Sequence, residues 1–166
     1  MTDAQRAISP WVEILSEVAP RYAISPALLA GLVLTESSGN PWAIRPEPGF
    51  WRRYYKGIKA LVEGTKSKAD DRWLRYPDIA SCSYGLCQIM LPVAWENGFR
   101  ARFPTELLDP KINVELGAKI LSNHTKRSRS ITGGLLRYNG GGDPQYPQRV
   151  LDNAAEVADL FGPSTP

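Results

Sequence analysis

The segment that most restricts the fold spans residues 25–39 and has the pattern of one buried helix. Ser25 supplies an N-cap hydroxyl and Pro26 occupies the first helical position, a pair that favours a helix start. An uninterrupted apolar run follows over residues 27–34, and Gly39 ends the helical pattern. This run is far shorter than the roughly 20 residues that cross a bilayer. The segment therefore predicts a core helix over residues 26–38 and not a membrane span.

The same start signal recurs at Ser9-Pro10 and Asp109-Pro110, and the chain as a whole reads as helical. No segment shows the alternation of a strand, and no internal repeat is present, so we expect a mainly α fold in a single domain over residues 1–166. The predicted helices cover residues 10–18, 26–38, 110–125, 131–138 and 147–161, with short helices between residues 45 and 80 that break near Gly57, Gly64 and Pro77.

Composition excludes several function classes. With 166 residues, 43% of them hydrophobic and 22% charged, the chain can bury one core and lacks the polar bias of disorder. One histidine and two cysteines are too few for a zinc centre, so zinc-dependent hydrolysis is not expected. We expect that the protein requires no metal and no organic cofactor. Residues 1–7 are polar and no apolar signal core follows them, so we expect no cleaved export signal.

Positive charge is concentrated in residues 51–75, where eight basic and three acidic residues stand against a net charge of +3 for the whole chain. Aromatic side chains lie among these charges, which suits stacking of sugars or of unpaired bases. The same pattern suits solvated helices whose aromatic side chains pack on the core. The aromatic residues are Trp51, Tyr54, Tyr55 and Trp73.

Glu36 is the acidic residue of the apolar helix. Leu28, Leu32 and Glu36 follow one another at intervals of four, which places the carboxyl group on the core-facing side. Burial and the negative end of the helix dipole would both raise the pKa of Glu36, and a glutamic acid that keeps its proton near neutral pH can act as a general acid. The alternative is that Glu36 lies just beyond the core edge, in solvent.

Four short motifs occur in a fixed order along the chain. They are Glu36-Ser37, then Gly85-Leu86-Cys87-Gln88-Ile89, then Asp109-Pro110 with Asn113 and Gly117-Ala118, and finally Tyr138-Asn139-Gly140. In this combination the sequence resembles the catalytic domain of soluble lytic transglycosylases, the lysozyme-like enzymes that cut peptidoglycan strands. The resemblance spans residues 28–150 and implies a lysozyme-like helical domain. A basic, aromatic helical insert occupies about residues 45–80, and Cys87 stands where the family usually has methionine.

The resemblance implies cleavage of the bond between N-acetylmuramic acid (MurNAc) and N-acetylglucosamine (GlcNAc). Glu36 would act alone, first as acid and then as base, and would leave a 1,6-anhydro end. Tyr138 would orient Glu36 through a phenolic hydrogen bond. Tyr146 would either stack on a sugar or pack in the core. The residues expected to bind substrate are Ser37, Ser83, Gln88, Asn139 and Tyr146.

Other functions remain open at this point. A second carboxylate from the insert would make the enzyme a water-using lysozyme of the goose type. A thiolate–imidazole pair of Cys87 and His124 would suit a peptidoglycan amidase, and the basic segment would suit a non-catalytic module that binds glycans or nucleic acid. The candidate second carboxylates are Glu47, Asp70, Asp71 and Asp78.

The expected partner is the peptidoglycan glycan strand, with no nucleic acid and no membrane span. An enzyme of this kind acts on the bacterial cell wall. Without an export signal, it would be phage-delivered, virion-associated or a trimmed periplasmic domain. Cys82 and Cys87 are either a disulfide pair or two unpaired thiols.

Overall fold

Helices dominate the computed structural model, which describes residues 1–63, 72–100 and 102–162. In this part of the chain the α-helices are Asp3–Ile8 (α1), Val12–Val18 (α2), Pro26–Ser37 (α3), Pro48–Glu63 (α4), Pro77–Ala80 (α5), Leu91–Glu96 (α6), Pro110–Ser128 (α7), Ile131–Tyr138 (α8) and Tyr146–Val157 (α9). Short 3-10 helices cover Ser9–Trp11, Ala19–Tyr22, Arg72–Arg75, Pro104–Leu108 and Ala158–Phe161. The prediction of a mainly α fold is confirmed.

The predicted helix starts follow from side-chain caps. The Ser25 hydroxyl accepts a hydrogen bond from the backbone N–H of Leu28 at 3.1 Å, and Asp109 caps α7 through the N–H of Ile112 at 3.0 Å. Helix α3 ends where Ser38 adopts the left-handed conformation, with φ of 53°. The predictions for α3 and α7 are therefore confirmed to within a few residues at their ends.

The structure also contains a small sheet, for which the sequence showed no strand alternation. Three short strands, Ile44–Pro46 (β1), Cys82–Tyr84 (β2) and Ile89–Met90 (β3), form an antiparallel sheet in the order β1-β2-β3. Arg45 is paired with Ser83, and Ser83 is paired with Met90 on the other side. Strands of two or three residues are too short to show alternation, and the pairing of β1 with β2 joins residues almost forty positions apart. The sequence pattern therefore carried no signal for them.

The inserted segment differs from its prediction in one respect. Helix α4 is continuous through Gly57, whose missing side chain would meet no other group within 4 Å. An exposed glycine lowers helix stability by about 1 kcal/mol relative to alanine, which tertiary packing overrides here. One anchor for that packing is Ile58, which is 4% exposed. The predicted break at Pro77 coincides with the start of α5, and the one near Gly64 lies outside the described residues.

The ends of the chain carry more helical structure than expected. Helix α1 precedes the predicted first helix, which divides into the 3-10 turn Ser9–Trp11 and α2. The predicted last helix consists of α9 followed by the 3-10 turn Ala158–Phe161. Helix α6 was not predicted, because its six residues are shorter than the window in which helical periodicity becomes visible.

Helix α3 lies inside the core. Every residue from Leu28 to Val33 is buried, and these side chains belong to one connected apolar cluster that also takes in residues of α2, α7 and α9. In the described ranges, no single helix is long and apolar enough to cross a membrane. The segments Asp3–Tyr22 and Pro26–Ser37 pass such a test only when taken together, and they are bent by 116° relative to each other.

Candidate active site

The carboxyl group of Glu36 is located in the last turn of α3, on the wall of a cleft of about 1100 Å³. Its side chain is only 12% exposed. The alternative in which Glu36 projects into solvent is therefore wrong. The core helix presents an almost buried acid to a space large enough for an extended ligand.

Close contact between α3 and α9 brings a tyrosine to this acid. A Cβ atom on Gly31 would lie 2.4 Å from the backbone oxygen of Val150, so only glycine lets the two helices approach this closely. Towards the end of α3, the Tyr146 hydroxyl, from the first turn of α9, donates a hydrogen bond to Oε1 of Glu36. Tyr146 is 3% exposed, which matches the core alternative and leaves its ring no free face for a sugar.

Arg45, in β1, makes the second contact with the acid. Its Nη2 lies 3.4 Å from Oε2 of Glu36, and its Nε lies 3.3 Å from Oε1 of Glu47. One guanidinium group thus connects two carboxylates of the cleft. Sequence reasoning missed Arg45, because only the pairing of β1 with β2 brings it to the end of α3.

These contacts act in opposite directions on the pKa of Glu36. Burial is the largest effect and raises the pKa, because it disfavours the charged form. The hydrogen bond from Tyr146 and the charge of Arg45 lower it, and the nearby charge of Glu47 raises it. The net result is a raised pKa, so Glu36 keeps its proton to higher pH than an exposed glutamic acid does. This is the property that a general acid requires.

In the described part of the chain, Tyr138 does not form the hydrogen bond to Glu36 that the sequence analysis expected. The Tyr138 hydroxyl donates to the backbone carbonyl of Cys87 at 2.9 Å. A Cβ atom on Gly117 would lie 2.5 Å from Sγ and 2.8 Å from Cβ of Cys87, so the glycine leaves room for the Cys87 side chain of this turn. Tyr138 lines the cleft and supports its wall, while Tyr146 provides the phenolic contact on the acid.

The turn between β2 and β3 uses the polar groups that were expected to bind sugar. Both donor contacts of the Gln88 amide are internal, to the carbonyls of Gly85 at 2.9 Å and Ala43 at 3.1 Å. The Gln88 oxygen accepts from the Ser83 hydroxyl at 2.8 Å. Gln88 has a φ of 47° and is 8% exposed. Its amide N–H groups therefore hold the turn together and are not available to a ligand.

Ser37 and Asn139 occupy different environments. The Ser37 hydroxyl donates to the Leu86 carbonyl at 2.8 Å and so ties the end of α3 to the turn. Asn139 lies on the cleft wall, and its side-chain amide forms no hydrogen bond to the described residues. Of the predicted substrate-binding amides, Asn139 is the one with donors and acceptor available to a sugar.

Asn113, in α7, is a second residue whose structural role the sequence did not reveal. It is fully buried, and its oxygen accepts the N–H of Cys87 at 2.7 Å. Its Nδ2 donates to the carbonyls of Tyr84 and Leu107, both at 2.8 Å. One side chain therefore satisfies three backbone groups around the turn. The available signal was an asparagine between apolar neighbours inside a helix, where this residue type is unfavourable unless it has a specific partner.

Helix α4 of the insert forms part of the cleft wall. Phe50 and Tyr54 face the cleft, with their ring centroids 4.7 Å apart, and the guanidinium of Arg53 lies 5.6 Å from the Tyr54 ring centre. Trp51 and Trp73 pack against the core. The interpretation as core-packing residues is therefore confirmed for Trp51 and Trp73, while stacking of sugars on Tyr54 stays a prediction.

A comparison with protein families matches residues 13–156 to the family described as "Transglycosylase SLT domain". The match covers most of the chain. The chain belongs to this family. The expectation of a lytic transglycosylase domain, an enzyme of the lysozyme-like class, is thereby confirmed at the level of the family.

A relative of this SLT domain is the protein named "Transglycosylase" of Enterobacteria phage PRD1. The two sequences are 28% identical over 164 residues, which cover 94% of this chain and 46% of the relative. The chain thus spans about half the length of the curated relative that it matches. No solved structure matches the chain.

The structure does not support the cysteine–histidine alternative for this SLT domain. Cys87 is fully buried, and burial raises the pKa of its thiol far above the ordinary value. A thiol that resists ionisation is a poor nucleophile. Cys82 and Cys87 are both free thiols, so the disulfide alternative is also wrong. Among the described residues, no three side chains of His, Cys, Asp and Glu cluster as metal ligands would.

We expect the two thiols of the native protein to react at different rates. Cys82 is partly exposed, whereas Cys87 has no exposed surface. Iodoacetamide should therefore label Cys82 slowly in the native state, and both cysteines should react once the chain is unfolded. Intact-mass spectrometry counts the labels, and peptide mapping assigns them. Rapid labelling of Cys87 in the folded protein would contradict this description of its environment.

Proposed function

We propose that this SLT domain is one catalytic unit that cleaves the β-1,4 bond between MurNAc and GlcNAc in peptidoglycan and leaves a 1,6-anhydroMurNAc end. Glu36 serves as its acid and its base. The observation that carries the proposal is a nearly buried carboxyl group, whose pKa is raised by burial, on the wall of a large cleft. The family match supports the reaction class.

In the first step Glu36 donates its proton to the oxygen that joins the two sugars. The bond from the MurNAc anomeric carbon to this oxygen breaks, and the GlcNAc part leaves as an alcohol. The substrate's own N-acetyl carbonyl stabilises the cationic carbon. Burial prepares this step, because it raises the free energy of the ionised carboxyl group and so keeps Glu36 protonated until the proton is transferred.

In the second step the Glu36 carboxylate accepts the proton of the MurNAc 6-hydroxyl. The oxygen of this hydroxyl forms a bond to the anomeric carbon, which closes the anhydro ring and returns Glu36 to its protonated form. No water is consumed. Tyr146 and Arg45, which contact the two carboxyl oxygens, stabilise the carboxylate between the steps.

We assign sugar binding to one amide and to the aromatic side chains that line the cleft. The free amide of Asn139 suits acetamido and hydroxyl groups, and the aromatic wall of α4 suits sugar rings. Ser37, Ser83 and Gln88 shape the turn beside the acid. The site of action is the bacterial cell wall, and the phage relative supports phage delivery over a trimmed periplasmic domain.

One observation favours a second candidate, a water-using hydrolase of the goose type. Glu47 lines the same cleft as Glu36 and is joined to it through Arg45, so a second carboxylate is available. Asp78 lines a separate cavity with Trp51 and Arg52, which makes it a poor candidate. Asp70 and Asp71 lie outside the described residues.

Analysis of the reaction products distinguishes the two candidates. Digestion of purified sacculi should release muropeptides with 1,6-anhydro ends, which mass spectrometry separates from reducing ends by the mass of one water. We expect Glu47→Gln to keep these products and a rate within about tenfold of wild type. Reducing ends together with a loss of roughly 10²–10⁴-fold in Glu47→Gln, the usual contribution of acid–base catalysis, would instead establish the hydrolase.

A further inference from the structure

Arg45 has an arrangement that the two-step mechanism does not by itself explain. It is held in β1, where its backbone pairs with Ser83. From this position its guanidinium reaches Glu36 with Nη2 and Glu47 with Nε, at 3.4 and 3.3 Å. The planar group presents separate N–H donors along its edges, so it can serve two carboxylates at once. Contact with one partner limits how closely it can approach the other.

We propose that Arg45 is a positioning residue for the Glu36 carboxyl group. We also propose that Glu47 restrains the Arg45 guanidinium, so that the electrostatic interaction of Arg45 with Glu36 is weaker than in an unshared ion pair. This inference rests on the proposed role of Glu36. A cation bound fully to Glu36 would hold it ionised and weaken it as an acid. No cation at all would leave the carboxylate of the second step with the hydrogen bond from Tyr146 as its one charge-stabilising contact among the described residues. When Arg45 is shared with Glu47, its interaction with Glu36 has an intermediate strength. Such an interaction suits both the protonated Glu36 of the first step and the carboxylate of the second.

The other charged groups near the acid leave this role to Arg45. Among the described residues, Arg45 is the cation that forms an ion pair with Glu36, while Arg149 is bound to Asp143. Tyr146 and Tyr138 are uncharged phenols, and burial raises the pKa of each. The ionisable groups that line this cleft or lie against Glu36 are Arg45, Glu47, Arg53, Tyr54, Cys87, Glu96, His124, Arg137, Tyr138, Tyr146 and Arg149.

The test measures the titration of the Glu36 carboxyl carbon by NMR in the full chain labelled with ¹³C-glutamate, where Glu36→Gln identifies the signal. Arg45→Gln removes the cation and should shift the titration to higher pH. Glu47→Gln removes the restraint and a negative charge and should shift it to lower pH. We expect each shift to be about 0.5–1 pH unit, as for an opposite charge at this distance that is partly screened by solvent.

The rate of sacculus digestion provides a second measurement. Because Glu36 must be protonated at the start, the initial rate at low substrate falls as pH rises through the pKa of Glu36. The alkaline limb of the pH–rate profile should therefore move to higher pH in Arg45→Gln and to lower pH in Glu47→Gln. The effect of Glu47→Gln should be smaller when Arg45 is already replaced, since the restraint then has nothing to act on. Arg45→Lys keeps the positive charge, so its Glu36 titration and alkaline limb should lie closer to those of wild type than the titration and limb of Arg45→Gln do.

Arg53→Gln is the matched control, because Arg53 lines the same cleft from α4 and makes no ion pair with Glu36. In this variant the titration of the Glu36 carboxyl carbon should coincide with that of wild type. The inference is overturned if Arg45→Gln and Glu47→Gln leave the titration unchanged or move it in the same direction. Glu47 is 44% exposed, so its variant remains testable if Arg45→Gln fails to fold. If the Glu36 titration shifts in these variants while the alkaline limb of the rate does not move, the positioning role of Arg45 is upheld and the role of Glu36 as the acid is refuted.

Discussion

Replacement of Glu36 by glutamine is expected to reduce the digestion of sacculi by at least roughly 10²–10⁴-fold while the fold survives. Glutamine has the shape of glutamic acid and can still accept the hydrogen bond from Tyr146, but it has no proton to exchange. Both steps of the proposed reaction then lack their proton carrier. The measurement is the release of soluble muropeptides from purified sacculi, with circular dichroism as the check on folding.

The matched control is Glu13→Gln, which removes an exposed carboxylate in the first turn of α2 that is not among the residues lining the cleft. This variant should digest sacculi at the wild-type rate. If Glu36→Gln kept most of the activity, the acid–base role would be refuted, and a function that depends on binding alone, through the cleft or the basic segment, would take its place.

The same variant should also alter stability, in a direction that the pKa of Glu36 determines. A carboxyl group whose pKa is raised by folding contributes stability below its unfolded pKa, and this contribution is lost as pH rises through the folded pKa. At alkaline pH the wild-type protein is therefore destabilised by the ionised, buried Glu36, whereas the Glu36→Gln variant has no charge at this position. We expect Glu36→Gln to melt roughly 2–4 °C above wild type at pH 8 and to lose this advantage near pH 4. Equal melting curves at both pH values would contradict the raised pKa.

Asn113→Ala is expected to lower the free energy of unfolding by about 3–5 kcal/mol, the largest effect on stability among these predictions. Alanine would leave the N–H of Cys87 and the carbonyls of Tyr84 and Leu107 buried without partners. In a domain of this size the melting temperature should fall by roughly 6–20 °C. Thermal unfolding followed by circular dichroism measures the change.

Asn123→Ala is the control for this substitution, since Asn123 lies on the same helix, is only partly buried and forms no side-chain hydrogen bond with the described residues. It should melt within a few degrees of wild type. Equal melting temperatures for the two variants would show that the turn does not depend on Asn113. We also expect Asn113→Ala to lose activity at temperatures where it is still folded, because the turn anchors Ser37 at the end of α3.

The helical part of this protein could be predicted because its signals are local. Ser25 and Asp109 cap the helices that they precede, and the spacing of Leu28, Leu32 and Glu36 within one helix places the acid on the core side. Each signal acts within a few residues, which is the range of helix capping and helical periodicity. Glycine at residue 57 was misleading, because packing of α4 on the core outweighs its weak preference against helix.

The identity of the acid's partners was beyond the reach of such signals. Tyr138 and Tyr146 are both tyrosines near the end of the chain, and only the close approach of α3 and α9 at Gly31 decides that Tyr146 reaches Glu36. Gln88 looks like a ligand-binding amide in sequence, yet the geometry of its turn directs its donors into the protein.

The sequence alone determined that an apolar helix ends in one glutamic acid and that helices dominate the fold, because both follow from the order of neighbouring residues. Tertiary structure decided which tyrosine contacts this acid, that Arg45 is shared between Glu36 and Glu47, and that Asn113 supports the turn. These contacts join residues far apart in the chain. They depend on how helices cross and strands pair, and the energy of such packing is not encoded in any short stretch of residues.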